Sequence, residues 1–340
     1  MVGDIFFLLF GLFLILISAE TFTNGIETLG KKFSLSQAVV GSLLAAVGTA
    51  LPETILPVVA IFFYKGESAK DIGVGAILGA PFMLSTLAFF LVGLTVVVSY
   101  LRKRRRFEIH VEPGSMKRDL VFFLPMYAIA VLLPVIAGRS FAVPIAVMLI
   151  AGYIFYAYRT LRCESSDLEH SEEMYLCILL GKAGLTKSNN PHLILIWLQV
   201  IGALAIMITG AHTFVEHLEH ISIRFGMSPL LFALMLAPVA TELPEKFNSI
   251  TWTWKGRDTL AMGNITGAMV FQSTFPVSVG LLFTEWKLTG MALFSAVLAL
   301  LSALIALTEL SFRKRLSPFT VLFGGGLYLL YAIVLITGRI

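Results

Sequence analysis

Apolar stretches of about 20 residues recur along nearly the whole chain, each the length of one helical crossing of a bilayer's hydrocarbon core. A soluble protein of 340 residues has no interior large enough to hide them all, so their natural solvent is lipid. Composition agrees: 57% of residues are hydrophobic and 14% charged, against roughly 25% charged in an average soluble domain. An ordinary soluble enzyme is excluded, and a polytopic, all-α membrane protein is expected. The net charge of +4 in such a chain records topology; membrane lipid is the expected partner, and nucleic acid is not.

Met1-Val2-Gly3-Asp4 runs straight into an apolar stretch with no basic segment before it, which reads as a retained first span. The two cysteines, Cys163 and Cys177, flank His170 in the most polar connector, at spacings that match no zinc motif, so unpaired thiols are the plainer reading. Hydropathy places helices near 4–30, 36–63, 71–100, 119–137 and 141–161, then near 192–221, 228–254, 258–283, 287–310 and 317–338. That divides the chain into a five-helix segment 1–161, a connector 162–191 rich in acidic residues, and a second five-helix segment 192–340. Alternate connectors carry 18 and six Lys or Arg, the richer set including Arg102 to Arg106 and Arg313 to Arg315. The asymmetry puts both termini outside the cytoplasm and requires an even number of spans, ten in all. The expected location is the plasma membrane, or the inner membrane of a bacterium.

Ala19 to Glu53 aligns without a gap on Ala211 to Glu245, at an offset of 192 and with 13 identities in 35 positions. The densest part sets Leu44-Ala-Ala-Val-Gly-Thr-Ala-Leu-Pro-Glu53 against Leu236-Ala-Pro-Val-Ala-Thr-Glu-Leu-Pro-Glu245. Further on, Gly75-Ala-Ile-Leu-Gly-Ala80 matches Gly263-Asn-Ile-Thr-Gly-Ala268. Chance echoes of Leu and Ala are cheap in membrane spans, but Pro and Glu recurring in register are not. Five spans per unit is an odd number, so the second copy enters the membrane from the opposite face. This is the inverted repeat of many secondary transporters, whose sites lie near the midplane where the repeats meet.

A carboxylate at membrane depth is costly, so Glu53 and Glu245 are expected to face a cavity or a bound cation. Proline loosens the preceding turn, freeing the carbonyls of Gly48 and Ala240, beside the hydroxyls of Thr49 and Thr241. Two such clusters make an oxygen-lined cage suited to a hard cation such as Ca2+, without the thiol or imidazole that favours zinc or copper. Gly75, Gly79, Gly263 and Gly267 have the spacing of close helix packing, with backbone approach to an ion as the lesser alternative.

These motifs resemble the cation/Ca2+ antiporters, which include the sodium/calcium exchangers, over essentially the whole chain. The resemblance implies an antiporter, not an enzyme, with no cofactor. Ca2+ would exchange for Na+ or H+ by alternating access, with inorganic cations as ligands and a monomer sufficient. It implies Glu53 and Glu245 as paired Ca2+ carboxylates, with Thr49 and Thr241 adding oxygens. The chain departs from the family pattern at Ala50 and Glu242, where Ser is usual, and at Leu84 and Gln272, where Asn or Asp is usual. Two readings of Glu242 stand: it enters the cage in place of the acid missing at Gln272, or it pairs with Lys246 at i, i+4 spacing. A homologue that binds a cation without coupled transport, or an exchanger for another divalent ion, are the alternatives. A channel lacks a filter sequence, and an intramembrane enzyme lacks a metal or nucleophile motif.

Other polar residues mark the spans. Glu20, Asn24 and Glu27 fall on the first, and His212, Glu216, His217, Glu219 and His220 on the sixth, read as vestibule or proton-sensing groups or as polar helix ends at an interface. Trp252, Trp254 and Trp286 are expected as interfacial anchors.

Overall fold

A computed structural model describes residues 1–33, 50–163, 174–182, 191–288 and 290–337. The described residues are helical, without a named strand; an isolated bridge joins Ile109 to Leu316. Among the described residues, eight helical segments are long and apolar enough to cross a membrane, and two shorter apolar helices, Leu51–Phe62 and Pro229–Thr241, accompany them. In lipid only a helix or a closed barrel satisfies its own backbone, which is why so apolar a chain resolves into helices.

In chain order the helices are α1 (Val2–Lys32), α2 (Leu51–Phe62), α3 (Ala69–Met83), a π turn (Leu84–Ala88), α4 (Phe89–Leu101), α5 (Pro113–Ala137), α6 (Ala142–Cys163) and α7 (Tyr175–Lys182). Then follow α8 (Leu193–Arg224), α9 (Pro229–Thr241), α10 (Leu243–Trp254), α11 (Asp258–Gln272), α12 (Phe275–Phe283), α13 (Gly290–Arg313) and α14 (Pro318–Thr337). Proline in the first turn opens α2, α5, α9, α10 and α12, where its missing N–H costs nothing and its φ is already helical.

Two compact units emerge, each drawing on both halves of the sequence. One comprises Met1–Gly66 with Phe155–Arg224 and contains α1, α2, α7 and α8. Its frame is the pair α1 and α8, whose contacts run antiparallel: Gly11 meets Gly210, and Gly25 meets Val200. A Cβ on Gly11 would lie 2.7 Å from the Gly210 carbonyl oxygen, so the two backbones touch at the crossing. Phe6, Phe10 and Phe13 are exposed on α1, as suits a surface solvated by lipid tails.

The other unit, Glu67–Ile154 with Phe225–Ile340, has α3 as its buried centre, where Ile72, Ile77, Leu78 and Phe82 are 1% exposed or less. α3 lies against α9 with Gly75 and Gly79 facing the Leu230 and Leu234 carbonyls, so the packing reading holds for these two glycines. Gly263, the counterpart of Gly75 in the second half, has nothing among the described residues within 4 Å of where a Cβ would stand. Trp286 is a correction to the expectation of an interfacial anchor: it is 6% exposed, and its indole N–H donates to the Ala130 carbonyl at 3.1 Å.

The segments expected as single helices at 228–254 and 258–283 are each broken, at Glu242 and at Ser273–Thr274. α2 and α10 both have 12 residues and both start on Leu-Pro-Glu; α3 and α11 both have 15. α3 ends in the π turn and α11 in the Ser273–Thr274 break, so regular winding fails at equivalent points of the two halves. Gly79→Val drives a branched side chain into the Leu234 carbonyl and is expected to cost about 1–3 kcal/mol. Gly263→Ala is expected to leave stability within about 0.5 kcal/mol. Thermal unfolding of the two variants in detergent checks the contrast.

Candidate cation site

The carboxylate of the first motif sits immediately behind a helix start. Ala50, at φ −84° and ψ 0°, caps α2; Pro52 takes its second position and Glu53 its third. The Thr54 N–H and hydroxyl both donate to the Ala50 carbonyl, at 3.2 and 2.8 Å, which closes the first turn. Glu53 is 6% exposed, beside Leu56, Val59 and Ala60 on the buried face of a helix whose other residues, Thr54 apart, are apolar. Gly48 and Thr49 lie outside the described residues.

The second motif repeats this backbone. α9 ends at Thr241, Glu242 stands between the helices at φ −92° and ψ 5°, and α10 begins with Leu243-Pro244-Glu245. Ala50 and Glu242 thus hold the same conformation, in the sparsely populated region near ψ 0°. Glu245 lies on α10, with its side chain outside the described residues. Ala240 and Thr241 are buried; the Thr241 hydroxyl donates to the Ala237 carbonyl at 3.0 Å, which leaves its oxygen lone pairs as the face it can present to a cation.

Glu242 and Lys246 form a buried ion pair. Lys246 Nζ lies 2.5 Å from Glu242 Oε2, with the two side chains 6% and 1% exposed. The pairing reading therefore describes Oε2, while Oε1 is buried with no hydrogen-bond partner among the described residues. Gln272 closes α11 at 2% exposure, and its Oε1 is likewise buried without a hydrogen-bond partner among the described residues. Just beyond it, the Ser273 and Thr274 hydroxyls both donate to the Val270 carbonyl, satisfying backbone left over at the break. Of the candidates, Glu53 belongs to the first unit, and Ala240, Thr241, Glu242, Glu245 and Gln272 to the second.

Several polar residues of the first and sixth spans serve structure. Asn24 Oδ1 accepts from the Tyr175 N–H at 3.0 Å, and Gln199 Oε1 from the Leu176 N–H at 2.8 Å. Together they cap the N-terminus of α7, whose first N–H groups have no helical acceptor. Glu20 accepts from the Tyr175 hydroxyl at 3.0 Å. Glu219 accepts from the Tyr64 hydroxyl at 2.5 Å, and burial followed by that bond pushes the Tyr64 phenol above its ordinary range. The proposed Cys163, His170 and Cys177 grouping falls largely outside the described residues; Cys177 itself is a free thiol on α7.

Two charged groups escaped the reading of the spans. Asp258, at the start of α11, is fully buried and bound on both oxygens by Arg105, at 2.8 and 2.5 Å. Asp119 accepts from the Thr266 hydroxyl at 2.7 Å, tying α5 to α11. Both lie at span ends, where hydropathy blurs the boundary and leaves no sequence signal of pairing.

The chain matches the sequence family described as sodium/calcium exchanger protein over residues 4–162 and 195–337. The inner membrane protein YrbG of Escherichia coli (strain K12) is 24% identical over 313 residues, covering 92% of this chain and 89% of that protein. The crystal structure of the H+/Ca2+ exchanger CAX shares the fold at a TM-score of 0.68 and 18% identity, over 98% of this chain and 82% of that one. A structure of the sodium-calcium exchanger NCX_Mj superposes at a TM-score of 0.56 and 18% identity, over 98% of each chain. Since the sequence match takes in nearly all of both halves, with the two Leu-Pro-Glu helices inside it, this multi-pass membrane protein belongs to the sodium/calcium exchanger family.

Proposed function

We propose that the chain is a secondary active antiporter that moves Ca2+ against Na+ or H+ by alternating access, working as ten membrane helices in two inverted five-helix repeats, 1–161 and 192–340. The observation that carries this reading is the matched pair of helix starts, Ala50 and Glu242 each capping a Leu-Pro-Glu helix in the same backbone conformation, with Glu53 buried in the first. Burying a carboxylate in a lipid-solvated protein costs several kcal/mol unless a cation or proton offsets it. Glu53 and Glu245 supply the charge for a divalent ion. Thr49, Thr241, Gln272 and the Gly48 and Ala240 carbonyls supply neutral oxygens.

Lys246 holds Glu242 close to neutrality as a pair, so the site keeps a charge of about −2 and Glu242 offers only its second oxygen. CAX and NCX_Mj are, by their descriptions, H+/Ca2+ and sodium-calcium exchangers, which supports Ca2+ as substrate and leaves both coupling ions in play. The distribution of Lys and Arg supports termini outside the cytoplasm, in a cell or inner membrane. A second reading, a cation-binding homologue without coupled transport, draws on Lys246 as a fixed positive charge one residue from Glu245.

Uptake of 45Ca into proteoliposomes under imposed Na+ and, separately, H+ gradients tests the two readings. Antiport predicts uptake that follows one gradient, whereas uptake indifferent to both removes it. Glu53→Gln is expected to abolish gradient-driven uptake while the protein still purifies as the folded species; unchanged uptake would displace the site. Lys246→Met leaves a buried carboxylate without its cation and is expected to destabilise by about 3–5 kcal/mol. Glu242→Gln added to it is expected to restore most of that loss, as measured by a double-mutant cycle on unfolding in detergent.

A further inference from the structure

Near one end of the α1 and α8 pair, three side chains outside the proposed transport site converge. From the contact of Gly11 with Gly210, seven residues back along α1 reach Asp4 and seven forward along α8 reach His217. Antiparallel helices climb by the same rise, about 10 Å over seven residues, so the two side chains meet at one level. One turn on, His220 joins them on the same face.

Asp4 Oδ1 lies 3.5 Å from His217 Nδ1 and 3.6 Å from His220 Nδ1, and the three ligand atoms all fall within 4.8 Å of one another. Those separations are too long for good N–H···O hydrogen bonds. The two Asp4–imidazole separations are close to the edge of a coordination tetrahedron: ligands about 2.0–2.1 Å from a zinc ion stand about 3.3–3.4 Å apart. His217 Nδ1 is buried with no hydrogen-bond partner among the described residues, and it is aimed at this point. The His217 ring is held by Phe7, stacked on it at 5.0 Å and 14°, so its nitrogen is fixed in direction. Asp4 Oδ2 faces away, 2.9 Å from Arg224 Nη1 and 2.7 Å from the Met1 nitrogen, which orients the carboxylate and leaves Oδ1 for the imidazoles.

We propose that Asp4, His217 and His220 form a site for a transition-metal ion of the Zn2+ class, with water as the fourth ligand, bridging α1 and α8. Two imidazoles and one carboxylate oxygen suit Zn2+ and are a poor set for Ca2+ or Mg2+, which take oxygen ligands. The site is thus chemically distinct from the proposed transport site.

The test titrates the purified full-length chain, affinity tag removed, with Zn2+ alone in detergent, following heat of binding and counting bound metal by mass spectrometry. One equivalent is expected, retained under excess Ca2+. His220→Ala is expected to weaken it by about tenfold or more; at 46% exposure His220 can be removed without disturbing packing, and an unchanged circular dichroism spectrum confirms it. Asp4→Asn is expected to act in the same direction, and Glu53→Gln to leave the equivalent intact. Absence of binding to the natural chain, unchanged affinity in His220→Ala, or loss in Glu53→Gln would each overturn the proposal, the last by assigning the ion to the transport site.

Discussion

A helix solvated by hydrocarbon cannot interrupt its winding without finding internal partners for the backbone it releases, and this constraint organises the protein. Among the described residues, irregular backbone stands at equivalent points of the two halves: Ala50 and Glu242, each directly before Leu-Pro-Glu, then the π turn at Leu84–Ala88 and the Ser273–Thr274 turn. Each is served by nearby hydroxyls. Thr54 returns to Ala50, Thr241 to Ala237, and Ser273 and Thr274 to Val270. Non-helical backbone at membrane depth is tolerated where protein or a polar cavity surrounds it, which is the setting that the proposed ion site requires.

The two halves meet this requirement with different chemistry at matching positions. In the first, Ala50 and Thr54 are joined by a hydroxyl-to-carbonyl bond; in the second, Glu242 and Lys246 are joined by an ion pair. Acid and base enter together, so the second half carries two more charged groups and almost no added net charge. A lone glutamate at that position would have raised the charge of any cage built beside it; a lone lysine would have repelled the cation. The pair leaves the two motif glutamates as the electrostatic core of the proposed site and turns one end of α9 into a rigid, cross-braced corner.

How much of this was legible in the sequence follows from how local each signal is. The Leu-Pro-Glu helices were, because proline and glutamate at membrane depth are rare enough to betray a repeat, and Pro244 announced the interruption just before it. The full breaks into separate helices at Glu242 and Ser273 were not: hydropathy averages over a window wider than one turn, and each gap is one or two residues long. Gly75 and Gly79 read correctly as packing glycines, because their spacing puts both on the face that meets α9. Trp286 misled. An indole near a span end usually seeks the interface, but here its N–H found the Ala130 carbonyl inside the bundle.

Contacts over long separations in the chain were beyond reach by sequence alone, and the α1 and α8 pair shows what they contribute. These helices have 31 and 32 residues, about 46–48 Å of helix against about 30 Å of hydrocarbon, so both extend past the apolar layer or tilt within it. Their polar contacts gather at two levels: Asp4 with His217, His220 and Arg224, and Asn24 with Gln199 and the N-terminus of α7. Asp4 and Asn24 are 20 residues apart on one helix, about 30 Å along its axis, which is one hydrocarbon thickness. The two polar clusters are thus spaced as the two faces of a bilayer would be, and the glycine crossing lies between them, on the apolar stretch of both helices. The second of these clusters docks α7, its first N–H groups met by side chains of α1 and α8.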